Sequence, residues 1–173
     1  NDRPALALRE EGLSVTLVDA ATPGAGVTAA GMGHLVALDE TDDELDLCLM
    51  SLRLWRSFLE SHPGVGEPVN CGTLWVAENE HQLMEAEARA ARLSRRGWSA
   101  ELLRGEHLRR LVPELRPGLC GGVRVSGDSV VYPPAVADHL ARELRARGGV
   151  VRAGTRVVEL GDGVAVLADG TRL

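Results

Sequence analysis

A short apolar segment, residues 14–19, constrains the fold of this chain more than any other. It is rich in β-branched residues and ends on an acid, Asp19, which is typical of a buried strand in a parallel sheet. Residues 4–11 before it have the pattern of a helix tail, and Gly12 stands where helices commonly end. A helix, a glycine turn and a buried strand make the second half of a βαβ unit, so we predict an α/β fold here.

The rest of the chain mixes helix and strand patterns. Leucine and tryptophan recur every three or four positions in one segment, Asn79 is a candidate N-cap, and two prolines can begin a later helix. These signals predict helices over residues 43–60, 80–96, 105–112 and 133–147. Apolar runs bounded by glycine and proline predict strands within residues 72–77, 121–134, 149–160 and 164–170. The fold class is therefore α/β with an α+β insertion.

The bulk composition is that of one globular domain. The chain has 173 residues, of which 45% are hydrophobic and 25% charged. Its net charge of −6 argues against a nucleic-acid partner, which requires a basic surface. The chain begins without Met and ends partway through a hairpin pattern, so we expect a fragment of a larger protein.

The cysteines and histidines do not form a metal-binding pattern. Cys48, Cys71 and Cys120 are far apart and make no CxxC pair, and no H-x-x-H is present. An odd cysteine count without a secretory signal favours a reducing compartment. No apolar run approaches the roughly 20 residues of a transmembrane helix. We therefore expect no metal, no transmembrane segment and a cytoplasmic location, with peripheral membrane association left open.

A glycine-rich stretch, "GAGVTAAGMGHL" (residues 24–35), follows the acid. A dinucleotide fingerprint GxGxxG precedes such an acid by roughly 20 residues, so this stretch is not that fingerprint, which would precede Asn1. It also lacks the GKS or GKT of a P-loop. Asp19 has two readings that the residues leave open. It accepts hydrogen bonds from the ribose hydroxyls of an adenosine and repels a 2′-phosphate, or it is a solvated acid at a strand end.

The same stretch has two readings as well. Its small, apolar residues favour a close backbone approach to a flat or anionic ligand over a flexible surface loop. His34 is more simply a loop histidine with a backbone partner than a ligand contact. Trp55, Trp75 and Trp98 are interpreted as core or partly exposed residues rather than a substrate cage.

The ordered set "GLSVTLVDA", "TAAGMGHL", "GTLWVA", "PELRPGLCGGVRVSGDSVVYPP" and "ARGGVVRAGTRVVEL" resembles the D-amino-acid-oxidase-like family of FAD-dependent oxidoreductases. Glycine and sarcosine oxidases and D-amino-acid or D-hydroxyproline dehydrogenases belong to that family. The resemblance implies a Rossmann-like FAD-binding domain, here incomplete, with an inserted antiparallel-sheet substrate domain. It places the FAD-binding domain in residues 1–69 and 133–173, without its first strand, and the insertion in residues 70–132.

The resemblance also implies the cofactor FAD and its contacts. The acid after the second strand holds the adenosine ribose, a role that falls to Asp19 with its neighbour Ala20. Many members have Glu at that position. The small-residue loop lies along the pyrophosphate and flavin, and a valine backbone after the last helix meets the adenine. The matching residues are Thr28, Ala29, Ala30, Gly31, Met32 and Val157, with Val158 as the alternative for the last.

The activity implied is oxidation of a C–N bond in a small-molecule amino acid or amine, with hydride transfer to flavin. The carboxylate-binding and catalytic groups of the family come mostly from a later half, so no catalytic residue is named here. Two alternatives stay open: a flavoprotein of the same fold that oxidises a hydroxy acid, and a non-catalytic subunit or interaction module. The resemblance is compatible with a homo- or hetero-oligomer, and the isolated fragment is expected to be inactive.

Overall fold

The computed structural model describes residues 2–37 and 41–173. The helices in these residues are α1 (Asp2–Glu10), α2 (Val27–Ala30), α3 (Asp42–Ser61), α4 (Glu80–Arg95), α5 (Gly105–Leu111) and α6 (Pro133–Ala146). The strands in these residues are β1 (Thr16–Val18), β2 (His34–Leu35), β3 (Thr73–Ala77), β4 (Glu101–Arg104), β5 (Gly121–Val125), β6 (Ser129–Val130), β7 (Val150–Arg152), β8 (Val157–Gly161) and β9 (Val164–Leu167).

The chain divides into two compact units. Unit 1 consists of Asn1–Gly33, Gly64–Glu67 and Val131–Leu173. Unit 2 consists of His34–Pro63 and Pro68–Val130.

The centre of unit 1 is a parallel pair of strands. β1 runs parallel to β7, with Thr16 opposite Val150. Helices α1 and α6 bury a small cluster of Ala5, Leu6 and Leu144. A helix, a glycine turn and a parallel strand follow one another as the sequence predicts, since Gly12 ends α1 with a left-handed φ of 83°.

The last two strands of unit 1 form a β-hairpin. β8 pairs with β9 in antiparallel fashion. The turn between them has positive φ at both Asp162 (50°) and Gly163 (74°). That geometry is the one an Asp-Gly hairpin turn adopts, because both central residues must be left-handed. The predicted turn at this position is confirmed.

Unit 2 is built on an antiparallel sheet in the order β3-β5-β4. The central strand β5 begins with two glycines, Gly121 and Gly122. A Cβ on Gly122 would overlap the carbonyl oxygen of Trp75 in β3, and one on Gly121 the carbonyl oxygen of Leu103 in β4. The two glycines therefore let both neighbouring strands approach closely.

Both long helices of unit 2 begin at side-chain caps, of which the sequence predicted the one at Asn79. Thr41 and Glu44 form a reciprocal capping box at the start of α3, and the Asn79 side chain accepts a hydrogen bond from the Gln82 N–H at 3.0 Å at the start of α4. Such caps each contribute about 1 kcal/mol of helix stability. The core of unit 2 is one cluster of buried residues: Ala37, Leu45, Leu49, Leu52, Ala86, Ala90, Leu93, Trp98, Val123 and Val125.

Candidate functional site

Asp19 directly follows β1 and extends its pairing with β7. The Asp19 N–H donates to the Arg152 carbonyl oxygen at 2.9 Å, and the Asp19 carbonyl oxygen accepts from the Thr155 N–H at 2.9 Å. The carboxylate turns back on its own chain, because Oδ1 accepts from the Ala21 N–H at 2.8 Å. This is the local bond of an Asx-turn. Asp19 is thus held at the carboxyl end of a parallel strand, half-buried, with one oxygen engaged in fixing the turn.

The structure brings Asp19 and Ala20 next to the segment that leads to Val157. The Gly154 N–H donates to the Ala21 carbonyl oxygen at 2.7 Å, beside the Asp19–Thr155 bond. Ala20 is exposed. Val157 begins β8 and is half-buried, whereas Val158 is 58% exposed.

The remaining predicted cofactor residues lie in and after α2. This helix spans Val27–Ala30. The predicted contacts in and after it are all exposed residues: Thr28, Ala29, Ala30, Gly31 and Met32. Two glycines fix the backbone on either side of them. A Cβ on Gly24 would lie 3.0 Å from the Cα of Pro134 at the start of α6. Gly33 has a φ of 70°, and a Cβ there would overlap the carbonyl oxygen of Val131. The backbone at Gly24 and Gly33 thus packs closely against Pro134 and Val131, and the residues between the two glycines that are predicted to bind FAD are exposed.

After Gly33 the chain enters unit 2 as β2. His34 and Leu35 pair with Val130 and Ser129 of β6. His34 is exposed, and its backbone belongs to this pairing. Further along, the Cys48 thiol donates to the Val36 carbonyl oxygen at 3.0 Å.

A buried carboxyl group, Asp128, lies in unit 2 and was not predicted from the sequence. It sits between β5 and β6 and is 0% exposed. Its Oδ1 accepts from the Ala37 N–H at 3.0 Å. Burial raises the pKa of Asp128, whereas the nearby Thr73 side chain, the Ala37 N–H and the charge of Arg56 act to lower it. Its Oδ2 has no hydrogen-bond partner among the described residues. Its sequence neighbours, Gly127 and Ser129, are residue types common in turns and give no signal of burial.

A cleft of about 380 Å³ also lies in unit 2. Trp55, Arg56 and Glu60 of α3 line it together with Asn70 and Ser129. The Arg56 guanidinium lies 4.0 Å from the centre of the Trp98 ring and donates to the Gly127 carbonyl oxygen at 3.3 Å. Trp98 is buried in the core and Trp75 packs against the core, in line with the interpretation of the tryptophans.

The described part of the chain has neither a cluster of metal ligands nor a helix suited to span a membrane. No group of three or more His, Cys, Asp or Glu side chains in residues 2–37 and 41–173 is arranged to hold a metal ion. None of the described helices combines the length and the apolar character needed to cross a bilayer. No disulfide bond joins the described cysteines Cys48, Cys71 and Cys120.

A family model described as FAD dependent oxidoreductase matches residues 5–172. The chain belongs to this family. The match confirms the resemblance inferred from the ordered motifs, and it makes FAD the cofactor of the family and oxidation–reduction its class of chemistry. No curated protein sequence matches the chain.

Solved structures share the FAD-dependent oxidoreductase fold. Glycine oxidase from Geobacillus kaustophilus matches with a TM-score of 0.84 and 22% identity, over 98% of this chain and 49% of that one. Iminodiacetate oxidase from Chelativorans sp. BNC1 matches with a TM-score of 0.79 and 25% identity, over 99% and 49%. L-alpha-glycerophosphate oxidase from Mycoplasma pneumoniae, with FAD bound, matches with a TM-score of 0.83 and 20% identity, over 96% and 46%.

These matches confirm the predicted fold class, a Rossmann-like α/β FAD-binding fold that also contains an antiparallel sheet. The chain spans about half the length of the structures it matches. Residue-level contacts to FAD, the domain limits and the substrate stay predictions.

Proposed function

We propose that this chain forms part of an FAD-dependent oxidoreductase that oxidises the C–N bond of an amino acid or a related amine. The observation that carries the proposal is the position of Asp19 at the carboxyl end of a parallel strand, followed at once by a backbone of small residues. Ligands of open α/β sheets bind at the carboxyl ends of the strands, so this is where a dinucleotide would lie.

The residues present fit the adenosine half of FAD. Asp19 is half-buried, and its Oδ1 is engaged with the Ala21 N–H, which leaves Oδ2 to accept hydrogen bonds from ribose hydroxyls. A carboxylate bond to a hydroxyl is worth about 1.5–3 kcal/mol. Val157 lies on the neighbouring segment, where its backbone would meet the adenine.

The residues after α2 fit the pyrophosphate and the flavin. Five consecutive residues are exposed here, and all but the last are small: Thr28, Ala29, Ala30, Gly31 and Met32. On either side of them, Gly24 and Gly33 pack closely against Pro134 and Val131. A backbone without bulky side chains lets N–H groups approach an anion or a flat ring closely. Their task is to bind and orient the cofactor. When bound, FAD accepts the hydride that leaves the substrate carbon.

The substrate class rests on the structural neighbours and on the family. Two neighbours are a glycine oxidase and an iminodiacetate oxidase, whose names state C–N substrates. A glycerophosphate oxidase has a TM-score of 0.83, which supports the alternative of a hydroxy substrate. A non-catalytic subunit that keeps the fold is the third candidate. A cytoplasmic location and the oligomeric state also stay predictions.

The decisive measurement is the visible absorption spectrum of the protein expressed from its complete reading frame. We expect the bands of an oxidised flavin and their bleaching under anaerobic conditions by a D- or L-amino acid or a secondary amine. Bleaching only by hydroxy acids or glycerol phosphate would favour the hydroxy alternative. A colourless protein that takes up no added FAD would contradict the enzyme proposal and favour the non-catalytic subunit.

A further inference from the structure

Asp128 is unusual because it is the only charged residue in the described part of the chain that is fully buried. Taking a carboxyl group out of water is unfavourable unless hydrogen bonds replace the lost hydration. The charged and polar groups that act on it are few: Thr73 of β3, Arg56 of α3 and the Ala37 N–H. A buried acid in a turn between two strands is therefore expected to have a specific partner.

That partner is the backbone that leaves the predicted flavin-binding stretch. Asp128 Oδ1 accepts from the Ala37 N–H at 3.0 Å, although the two residues are far apart in sequence. The neighbouring carbonyl group, that of Val36, accepts from the Cys48 thiol at 3.0 Å. His34 and Leu35 are paired with β6, which starts directly after Asp128. Residues 34–37 are thus fixed by a strand pairing at one end and by side chains at the other.

The turn that holds Asp128 is itself fixed to the sheet. The Asp128 carbonyl oxygen accepts from the Gly72 N–H at 3.0 Å, and the Asp128 N–H donates to the Val125 carbonyl oxygen at 3.4 Å. Arg56 donates to the carbonyl oxygen of the preceding Gly127 at 3.3 Å. The carboxyl group therefore projects from a backbone with little freedom, which is what an anchor for another segment requires.

We propose that Asp128 is a positioning residue of the flavin site, which fixes the course of residues 34–37 by accepting the Ala37 N–H. This inference rests on the proposed function, because residues 34–37 continue directly from the stretch that ends at Met32 and Gly33. Asp128 touches neither cofactor nor substrate in this proposal. It sets where the chain goes after the loop and so where His34 is presented.

The test uses the protein from its complete reading frame and three variants. Asp128→Ala removes the acceptor, whereas Asp128→Asn keeps an oxygen that can accept the Ala37 N–H. Asp138→Asn is the matched control, because it removes a carboxylate from an exposed ion pair with Arg142 on α6. Hydrogen–deuterium exchange of the peptide that covers residues 34–37 measures the anchor, since exchange reports local opening. Visible circular dichroism of the bound flavin measures the geometry around the ring.

We expect Asp128→Ala to speed exchange in residues 34–37 by at least about tenfold, the effect of losing about 1.4 kcal/mol of local stability. It should also change the flavin circular dichroism. Asp138→Asn should match the wild-type protein in both measurements. Asp128→Asn should exchange no faster than the wild-type protein and keep its flavin spectrum, and this rescue by Asn would assign the effect to the hydrogen bond.

Three results would overturn the inference. The first is equal exchange in Asp128→Ala and the wild-type protein. The second is Asp128→Asn behaving like Asp128→Ala. The third is an unchanged flavin spectrum in Asp128→Ala despite faster exchange. If Asp128→Ala does not fold, hydrogen exchange of the Ala37 amide in the wild-type protein and in Asp128→Asn tests the inference instead. An unprotected Ala37 amide in the wild-type protein would contradict the inference. Protection of this amide in both the wild-type protein and Asp128→Asn would support it. A wild-type protein without flavin refutes the proposed function instead, which keeps the two failures apart.

Discussion

Unit 1 and unit 2 use their apolar residues in different ways. Unit 2 buries ten residues in one cluster against an antiparallel sheet. Unit 1 buries three in its cluster, and its parallel pair β1–β7 is only half-buried. Unit 1 also leaves Val27 and Met32 exposed, at 89% and 77%. Every predicted FAD contact lies in unit 1. The comparison teaches that the larger apolar core and the predicted FAD contacts belong to different units of this chain.

The largest expected effect tests how unequal the two interiors are. Leu49 in unit 2 and Leu144 in unit 1 are both fully buried. Replacing a buried leucine by alanine costs about 2–5 kcal/mol, more where the surroundings cannot close around the cavity. We expect Leu49→Ala to lie near the upper end and Leu144→Ala near the lower end, measured by urea unfolding of the full protein. A larger loss for Leu144→Ala would contradict the comparison.

The next effect concerns the ligand surface. Asp19→Asn keeps an oxygen for the Ala21 N–H, so the turn should survive while the carboxylate is lost. We expect FAD affinity to fall about 10- to 100-fold, because a hydrogen bond to a charged group is worth about 1.5–3 kcal/mol. Titration with FAD, followed by quenching of its fluorescence, measures this loss. Asp138→Asn is the control, and an Asp19→Asn protein with wild-type affinity would remove Asp19 from the site.

A smaller effect separates close packing from backbone strain in unit 1. Gly12 and Gly33 both have positive φ, 83° and 70°. A Cβ on Gly12 would meet nothing within 4 Å, whereas one on Gly33 would overlap the Val131 carbonyl oxygen. Each alanine substitution costs about 1–2 kcal/mol for the left-handed conformation. We expect Gly33→Ala to be more destabilising than Gly12→Ala in urea unfolding. Equal losses of stability in the two variants would mean that the close approach of Gly33 to Val131 does not add to the cost of the substitution.

The smallest expected effects are pH dependences of opposite sign in the two units. Burial raises the pKa of Asp128 in unit 2. The contribution of this group to the stability of the protein is therefore most favourable below about pH 4, and it is lost as pH rises through the pKa of the folded state. In unit 1, the Thr171 N–H donates to Asp169 Oδ1 at 2.9 Å and lowers the pKa of Asp169. The contribution of this group to stability is therefore present above about pH 4, and it is lost as pH falls through the pKa of the folded state.

Urea midpoints measured against pH test this pair. Relative to the wild-type protein, Asp128→Asn should gain stability as pH rises from about 4, and the deficit of Asp169→Asn should disappear as pH falls below about 4. The same slope in both variants would refute the assignment of opposite shifts.

The elements that the sequence predicted well are those determined by local chemistry. Asn79 caps α4, Gly12 ends α1, and Asp162 with Gly163 makes the hairpin turn. Each of these signals acts over a few residues, so its outcome depends little on the rest of the chain. The boundaries of α3 and α4 accordingly fall within a residue or two of those expected.

The elements that were missed depend on distant partners. β4 is a four-residue strand, Glu101–Arg104, that exists because it pairs with β5, and β2 is a two-residue strand paired with β6. Neither has the length or alternation that identifies a strand alone. Asp128 was missed for the same reason, because Gly127 and Ser129 around it are turn residues and its burial comes from contacts with Ala37 and Thr73. Asp19 could be selected as a candidate because its place at the end of a short, β-branched apolar segment is itself a local signal.

The parallel pair β1–β7 has a consequence for how the chain is made on the ribosome. Thr16 pairs with Val150, so β1 and β7 cannot pair until the residues up to Val150 have been synthesised. All residues of unit 2 lie between these two strands and emerge earlier. Because domains fold as their residues become available during translation, unit 2 is expected to be structured while β1 still waits for its partner. Of these two units, the one that contains the predicted FAD contacts would thus be the later one to fold during translation.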